Sequence, residues 1–185
     1  MGKLGAPTGL HRAEVAASYV RDSLLTLDGI DDVLIAGSVR RQRPVVSDVD
    51  LVVVTDGVID LTQYRGSLDD HRIAFTPKGG VALIEGVRVE LYLAPPGCAG
   101  ATLQFVSGPG SLNVWLRSLA KNKGWKLSQY GLYDGHGKDA VRLDRSTGDP
   151  YADEMSIFEA LGVDYIAPED RDEWRDRKRY RREGE

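Results

Sequence analysis

The chain has 185 residues, with 24 Lys and Arg against 28 Asp and Glu, a formal net charge of −4 and 42% hydrophobic content. That length suffices for one domain or two small lobes around a real core, and no apolar run is long enough to span a membrane, so the expectation is a soluble globular protein. Cys98 is the only cysteine, which excludes an intrachain disulfide and a thiolate zinc cluster, and His11, His71 and His136 lie too far apart in sequence to suggest a histidine metal site.

Met1 to Gly9 has no apolar signal-peptide core and reads as a short flexible tail, so secretion is not expected. His11 to Leu27 has Ala16, Val20, Leu24 and Leu27 at helical spacing, with Asp28-Gly29 as a stop, and predicts an amphipathic helix. Two short β-branched runs follow and predict strands over Asp31–Ala36 and Asp48–Thr55. Between them lie Gly37-Ser38, Arg40-Arg41 and then Ser47-Asp48-Val49-Asp50. Residues i and i+2 of a strand share a face, so Asp48 and Asp50 project together and repel unless a cation lies between them. Hard divalent ions such as Mg²⁺ favour a pair of carboxylates plus substrate phosphates, and Ser38 and the arginines can hold those phosphates. The stretch therefore reads as a metal-dependent phosphoryl-transfer site.

Gly57 to Asp70 reads as a loop and a short helix. Ile73–Thr76, Val81–Glu85 and Val87–Leu93 read as strands, the last two joined by a turn at Glu85-Gly86. In the last strand Arg88, Glu90 and Tyr92 share one face, while Val87, Val89, Leu91 and Leu93 share the core-facing side. A carboxylate there, beside the Asp48/Asp50 strand, would supply a third metal ligand; otherwise Glu90 is an ordinary surface glutamate.

Pro95-Pro96-Gly97 breaks that strand and leads to a lobe boundary. Ser107 to Gly110 reads as a tight turn, and Ser111 as the cap of a helix running to about Lys123, stopped by Gly124. Leu112, Trp115, Leu116 and Leu119 form its buried stripe; Asn113, Arg117 and Lys121, spaced by four, form a polar one suited to a nucleic-acid groove. No acidic residue occurs from Leu91 to Tyr133, and a second basic cluster runs from Arg175 to Arg182. Such a face fits a phosphate-backbone contact surface, or a solvated helix side. Gly131–Tyr133 and Ala140–Leu143 read as a hairpin, Asp153–Leu161 as a short helix stopped by Gly162, and Arg171–Glu185 as a charged helix.

Gly37-Ser38, Arg40-Arg41 and Asp48-Val49-Asp50, kept at this spacing, resemble the signature of the family X DNA polymerases of the nucleotidyltransferase superfamily. Arg88-Val89-Glu90 is similar to the segment that carries the family's third carboxylate, usually an Asp. Phe105-Val106-Ser107-Gly108 resembles its aromatic-aromatic-Thr-Gly turn. Gly124 to Leu132 resembles the thumb segment G-x-x-L-N-E-Y-G-L, and Ile157 to Arg171 the ending I-F-x-x-L-G-x-x-Y-I-P-P-E-x-R. The resemblance covers about residues 10 to 172.

The resemblance implies an α+β fold: a nucleotidyltransferase palm with a mixed β-sheet and flanking helices over residues 10–106, and a small C-terminal α+β thumb with a basic helix over 107–185, after a tail of residues 1–9. It implies a template-directed DNA polymerase filling short gaps in repair, in a minimal palm-plus-thumb form without lyase and fingers domains. Template-independent transfer, transfer to RNA or protein, and a DNA-binding module whose chemistry has decayed are the alternatives. Asp48, Asp50 and Glu90 would be catalytic and bind two Mg²⁺ ions; the longer Glu90 would shift a metal, weaken catalysis or favour Mn²⁺, as alternatives. Gly37, Ser38, Arg41, Ser47, Phe105, Ser107, Gly108 and Asn113 would contact the nucleotide, and Arg88, Arg117 and Lys121 the DNA; a structural role is the alternative for Arg40. Phe105 would oppose a 2′-hydroxyl, weakly given Val106 beside it. The Gly108–Pro109 bond is expected to be cis, as the family has a cis peptide after its turn glycine. The implied partners are dNTP, gapped or primer-template DNA and a DNA ligase, with the protein monomeric, away from membranes, and in the cytoplasm or wherever the genome is kept. Affinity for DNA is expected to fall steeply with salt.

Overall fold

The computed structural model describes residues 6–57, 79–135, 137–175 and 180, and the backbone of 72–76. It separates into two compact units, Met1–Pro96 and Gly97–Glu185. The break falls at Pro95-Pro96-Gly97, where two prolines end the strand. The segment up to residue 106, expected in the palm, therefore goes with the second unit from Gly97 onward.

The first unit begins with β1 (Thr8–Gly9), which leads directly into α1 (Leu10–Leu24). The flexible tail expected through Gly9 thus ends earlier: Thr8 and Gly9 pair antiparallel with β3 (Val45–Val46). Ala13, Ala16, Ala17, Val20 and Leu24 form the buried stripe of α1, the amphipathic pattern read from the sequence. After it come β2 (Asp32–Ile35), the four-residue helix α2 (Gly37–Arg40), β3 and β4 (Val49–Val54). Then follow β5 (Arg72–Thr76), β6 (Gly79–Ile84) and β7 (Val87–Ala94). The loop and helix expected over Gly57–Asp70 lie outside the described residues beyond Gly57.

The sheet is mixed, in the order β2-β4-β7-β6-β5. β4 is antiparallel to β2 and parallel to β7. Leu51, Val52 and Val53 are wholly buried, which suits an apolar run at the centre of a sheet. β7 instead alternates: Val87, Val89 and Leu91 are buried, while Arg88, Glu90 and Tyr92 are half-buried on the other face, as their spacing requires. Glu85 (φ 46°) and Gly86 (φ 82°) form the β6–β7 turn, both left-handed as a two-residue hairpin loop demands.

The second unit contains α3 (Ala99–Ser107), α4 (Gly110–Asn122), β8 (Trp125–Ser128), β9 (Gly131–Asp134), β10 (Val141–Arg142) and α5 (Pro150–Ala160). The three strands form an antiparallel sheet in the order β10-β9-β8. α3 lies close against α5: a Cβ on Gly100 would meet Asp153 Cβ at 2.6 Å and the Glu154 amide nitrogen at 2.7 Å. α5 starts three residues before the expected Asp153, because Asp149 caps it by accepting from the amides of Tyr151 and Ala152, with Pro150 in its first turn. α4 has Pro109 at its N-cap and no side-chain cap. Ser111, expected to cap it, instead accepts the Trp174 indole N–H at 3.0 Å. The Gly108–Pro109 bond is cis.

The helix expected over Arg171–Glu185 is absent from the described part of that segment, where residues 171–175 form turns. Arg171 is drawn wholly inward and pairs with Glu154, also wholly buried, at 2.9 Å. A solvated helical face cannot begin on a residue held in the core.

Candidate active site

The residues expected to bind metal and triphosphate come together on the first unit by backbone register. β2 pairs with β4 from Asp32 opposite Val54 to Ile35 opposite Leu51. The ladder extends one step further, where the Ala36 amide donates to the Asp50 carbonyl at 2.9 Å. The chain then turns into α2 at Gly37, which therefore lies against Asp50. A Cβ on Gly37 would stand 1.8 Å from Asp50 Oδ2, and Gly37 has φ +60°. Both facts demand glycine there.

On the other side of β4, the parallel register sets Asp50 directly opposite Glu90. Asp48 and Glu90 are both close enough to raise the proton affinity of Asp50. Burial is the largest cause, followed by Asp48 and Glu90; together they push the Asp50 carboxyl up from 3.8 to about 7, against smaller opposing effects of Tyr92 and Arg41. Three carboxylates that resist sharing their charge are a hard-oxygen donor set for a divalent cation.

Glu90 is held on both oxygens. The Arg88 guanidinium pairs with Oε1, and the Tyr92 hydroxyl donates to Oε2 at 2.8 Å. Tyr92 is raised above the usual phenol range, first by burial and then by this hydrogen bond, so it serves as a neutral donor. Among the described residues, no three His, Cys, Asp or Glu side chains are already gathered as a metal cage. The chemistry of the donor set fits Mg²⁺ or Mn²⁺, with Asp50 opposite Glu90 in the register and Asp48 just ahead of β4, near enough to Asp50 to raise its pKa.

Ser38 sits on α2 and its buried Oγ has no hydrogen-bond partner. A buried hydroxyl left unmatched is costly and suits a ligand oxygen. Arg41 follows α2, half-buried and near enough to Asp50 to lower its pKa. Ser47 is exposed at the bend before β4, and Arg40 is half-buried at the end of α2.

The remaining expected residues stand on the second unit. Phe105 and Ser107 lie at the end of α3, Phe105 half-buried and Ser107 wholly buried; Gly108 follows with φ +38°. Asn113 is turned inward, 7% exposed. Its Oδ1 accepts from Gln104 Nε2 at 2.8 Å and its Nδ2 donates to the Phe105 carbonyl at 2.6 Å. The amide thus fixes the α3–α4 corner. Arg117 and Lys121 are exposed on α4, and Arg117 Nε donates to the Asn113 carbonyl at 3.2 Å. Tyr92 is the site residue the sequence reading left without a role. Its place two residues from Glu90, on the same strand face, is the signal that could have found it.

A model of the DNA polymerase beta thumb matches residues 102–172. Rat DNA polymerase lambda is 26% identical over 159 residues, an alignment covering 74% of this chain and 28% of that protein. The chain thus spans little more than a quarter of that relative. Two structures of Leishmania infantum polymerase beta share its fold. One is a ternary P/T complex, with a TM-score of 0.72 at 22% identity, covering 91% of this chain and 78% of that one. The other is a ternary gap complex, with a TM-score of 0.71 at 22% identity, covering 92% and 72%.

Proposed function

We propose that the chain is a family X nucleotidyltransferase, specifically a template-directed DNA polymerase that fills short gaps, a reading supported by the match of its residues 102–172 to the DNA polymerase beta thumb and by its similarity to DNA polymerase lambda. What carries this reading is the facing of Asp50 and Glu90 across β4 and β7, with Asp48 close by and the unmatched Ser38 hydroxyl on the adjoining helix. Asp48, Asp50 and Glu90 would hold two Mg²⁺ ions. When bound, such ions supply the Lewis acidity that eases deprotonation of a primer 3′-hydroxyl and neutralises charge on a triphosphate.

The chain's own groups do the rest. Ser38 donates to a phosphate oxygen, Arg41 balances phosphate charge, and the side-chain-free Gly37 leaves Asp50 its place. Arg88 orients the Glu90 carboxylate. Phe105 opposes the sugar 2′ position, and Asn113 takes part by holding the corner that presents Phe105. Arg117 and Lys121, exposed and cationic, take the DNA phosphates.

The test is single-nucleotide gap filling with each dNTP and rNTP, in Mg²⁺ and in Mn²⁺, beside Asp50→Ala. The expected result is templated incorporation that Asp50→Ala removes; equal incorporation by the variant overturns the site. A second reading has one observation in its favour, the engagement of both Glu90 oxygens by protein donors. It makes the chain a DNA-binding module without chemistry, and it predicts gap binding with no incorporation in either metal.

A further inference from the structure

Glu90 is gripped by its own strand. Arg88 and Tyr92, two residues before and after it on β7, each take one carboxylate oxygen. Each oxygen has two lone pairs, so one donor apiece leaves acceptor capacity on both. Asp50 stands directly opposite in the parallel register, on the neighbouring strand. Tyr92 also interacts with Asp50, so the phenol lies beside both carboxylates.

The length of residue 90 matters to this arrangement. Strand neighbours on one face are separated by about 6–7 Å along the chain. A tyrosine hydroxyl stands well above the sheet, and a glutamate rises to meet it where a carboxylate one methylene shorter would stop short. The longer side chain has one more torsion to fix, and the tyrosine hydroxyl fixes it.

We propose that Tyr92 is a positioning residue: its hydroxyl holds the Glu90 carboxylate so that the free lone pairs of Glu90 face Asp50, making Glu90 and Tyr92 one coupled ligand unit. The proposal rests on the metal-dependent reading above. Hydrogen-bond partners of a metal-binding carboxylate commonly contribute about 10- to 100-fold in metal affinity or activity.

The test is Mn²⁺ binding to the full chain, followed by the paramagnetic resonance of the free ion, for wild type, Tyr92→Phe, Glu90→Asp, the double variant and Asp50→Ala. Metal-free melting curves are recorded alongside. Tyr92→Phe keeps the ring, so its metal-free melting should stay close to wild type while Mn²⁺ affinity falls about 10-fold. In the Glu90→Asp background, the same Tyr92→Phe change should have almost no effect on affinity. Unchanged affinity in Tyr92→Phe, with Asp50→Ala weakened, overturns the role of Tyr92 and leaves the polymerase reading standing. Tighter binding overturns it too, because the phenol would then compete with the ion. An equal loss in both backgrounds shows a structural role independent of the glutamate and likewise overturns it. If Asp50→Ala binds Mn²⁺ as the wild type does, the metal site and this proposal fall together.

Discussion

Each unit encloses carboxylates, and they are treated in opposite ways. In the second unit Glu154 and Arg171 are both wholly buried and pair at 2.9 Å. Arg171 Nε donates to the Ile166 carbonyl at 3.0 Å, and the Tyr165 hydroxyl donates to Glu154 at 3.0 Å. The guanidinium also lies 5.5 Å from the Phe158 ring centre and 5.6 Å from that of Tyr165. In the first unit Asp50 is buried beside Asp48 and Glu90, charges of its own sign, and burial first and then those charges push its carboxyl up to about 7. A charge enclosed with its counter-ion and hydrogen bonds belongs to the architecture. Asp50, buried beside two further carboxylates while Arg88 and Tyr92 are engaged by Glu90, is left under tension that a cation would relieve. The difference sets a carboxylate matched by its surroundings apart from one that its surroundings make costly to ionise.

The comparison breaks most visibly at Asp50. Asp50→Asn should cut incorporation by about 10²–10³-fold or more, as loss of a transition-state electrostatic contact does, and yet raise the metal-free melting temperature at pH 8. The sign follows from linkage. The unfolded chain releases this proton near 3.8, and the folded chain only near 7. Between those values the native state binds more protons, so stability falls as pH rises and levels off above 7. Melting curves from pH 4 to 8 should show that decline in wild type and a smaller one in Asp50→Asn. Identical slopes would remove the tension from the first unit.

Arg171→Leu should act in the other direction. Removing one member of a buried pair leaves Glu154 uncompensated and should cost about 3–5 kcal/mol in chemical denaturation. Replacing both residues by leucine should recover most of that loss, since apolar substitutes for a complete buried pair are often neutral. A single variant as stable as wild type would make the two units alike after all. The smallest expected effect concerns the exposed charges of α4. Arg117→Ala and Lys121→Ala should each lower the slope of log affinity for gapped DNA against log salt by roughly 1. A slope unchanged in both would take the phosphate contacts elsewhere.

Much of the candidate site was legible because it follows period-2 alternation. Arg88, Glu90 and Tyr92 fell on the face their spacing dictated, Asp50 came opposite Glu90 in the register, and Glu85-Gly86 turned the hairpin, while Asp48 lies just ahead of β4. What escaped has physical causes. α3 reads Ala-Gly-Ala-Thr-Leu-Gln-Phe-Val-Ser and is buried on nearly every side, so it has no polar stripe to reveal a helical period. β1 is two residues long and exists only because β3 is there to pair with it. Arg171 sits in a charged sequence, and local composition cannot disclose that Glu154 draws it into the core. Asn113 has helical spacing with Arg117 and Lys121, but Gln104 and the Phe105 carbonyl claim its side chain. Asp149-Pro150 is different: an acidic cap followed by proline is a standard helix opening, and it was there to be read.

Gly37 and Asp50 contend for the same few cubic ångströms, the carboxylate occupying space that a side chain at residue 37 would need. Two positions thirteen apart in sequence are therefore not free to vary independently. An alanine at residue 37 would act first on the carboxylate, by evicting it, and only then on any phosphate. The glycine is in this sense the negative mould of the aspartate. Any redesign of the α2 turn must be judged by where it leaves Asp50.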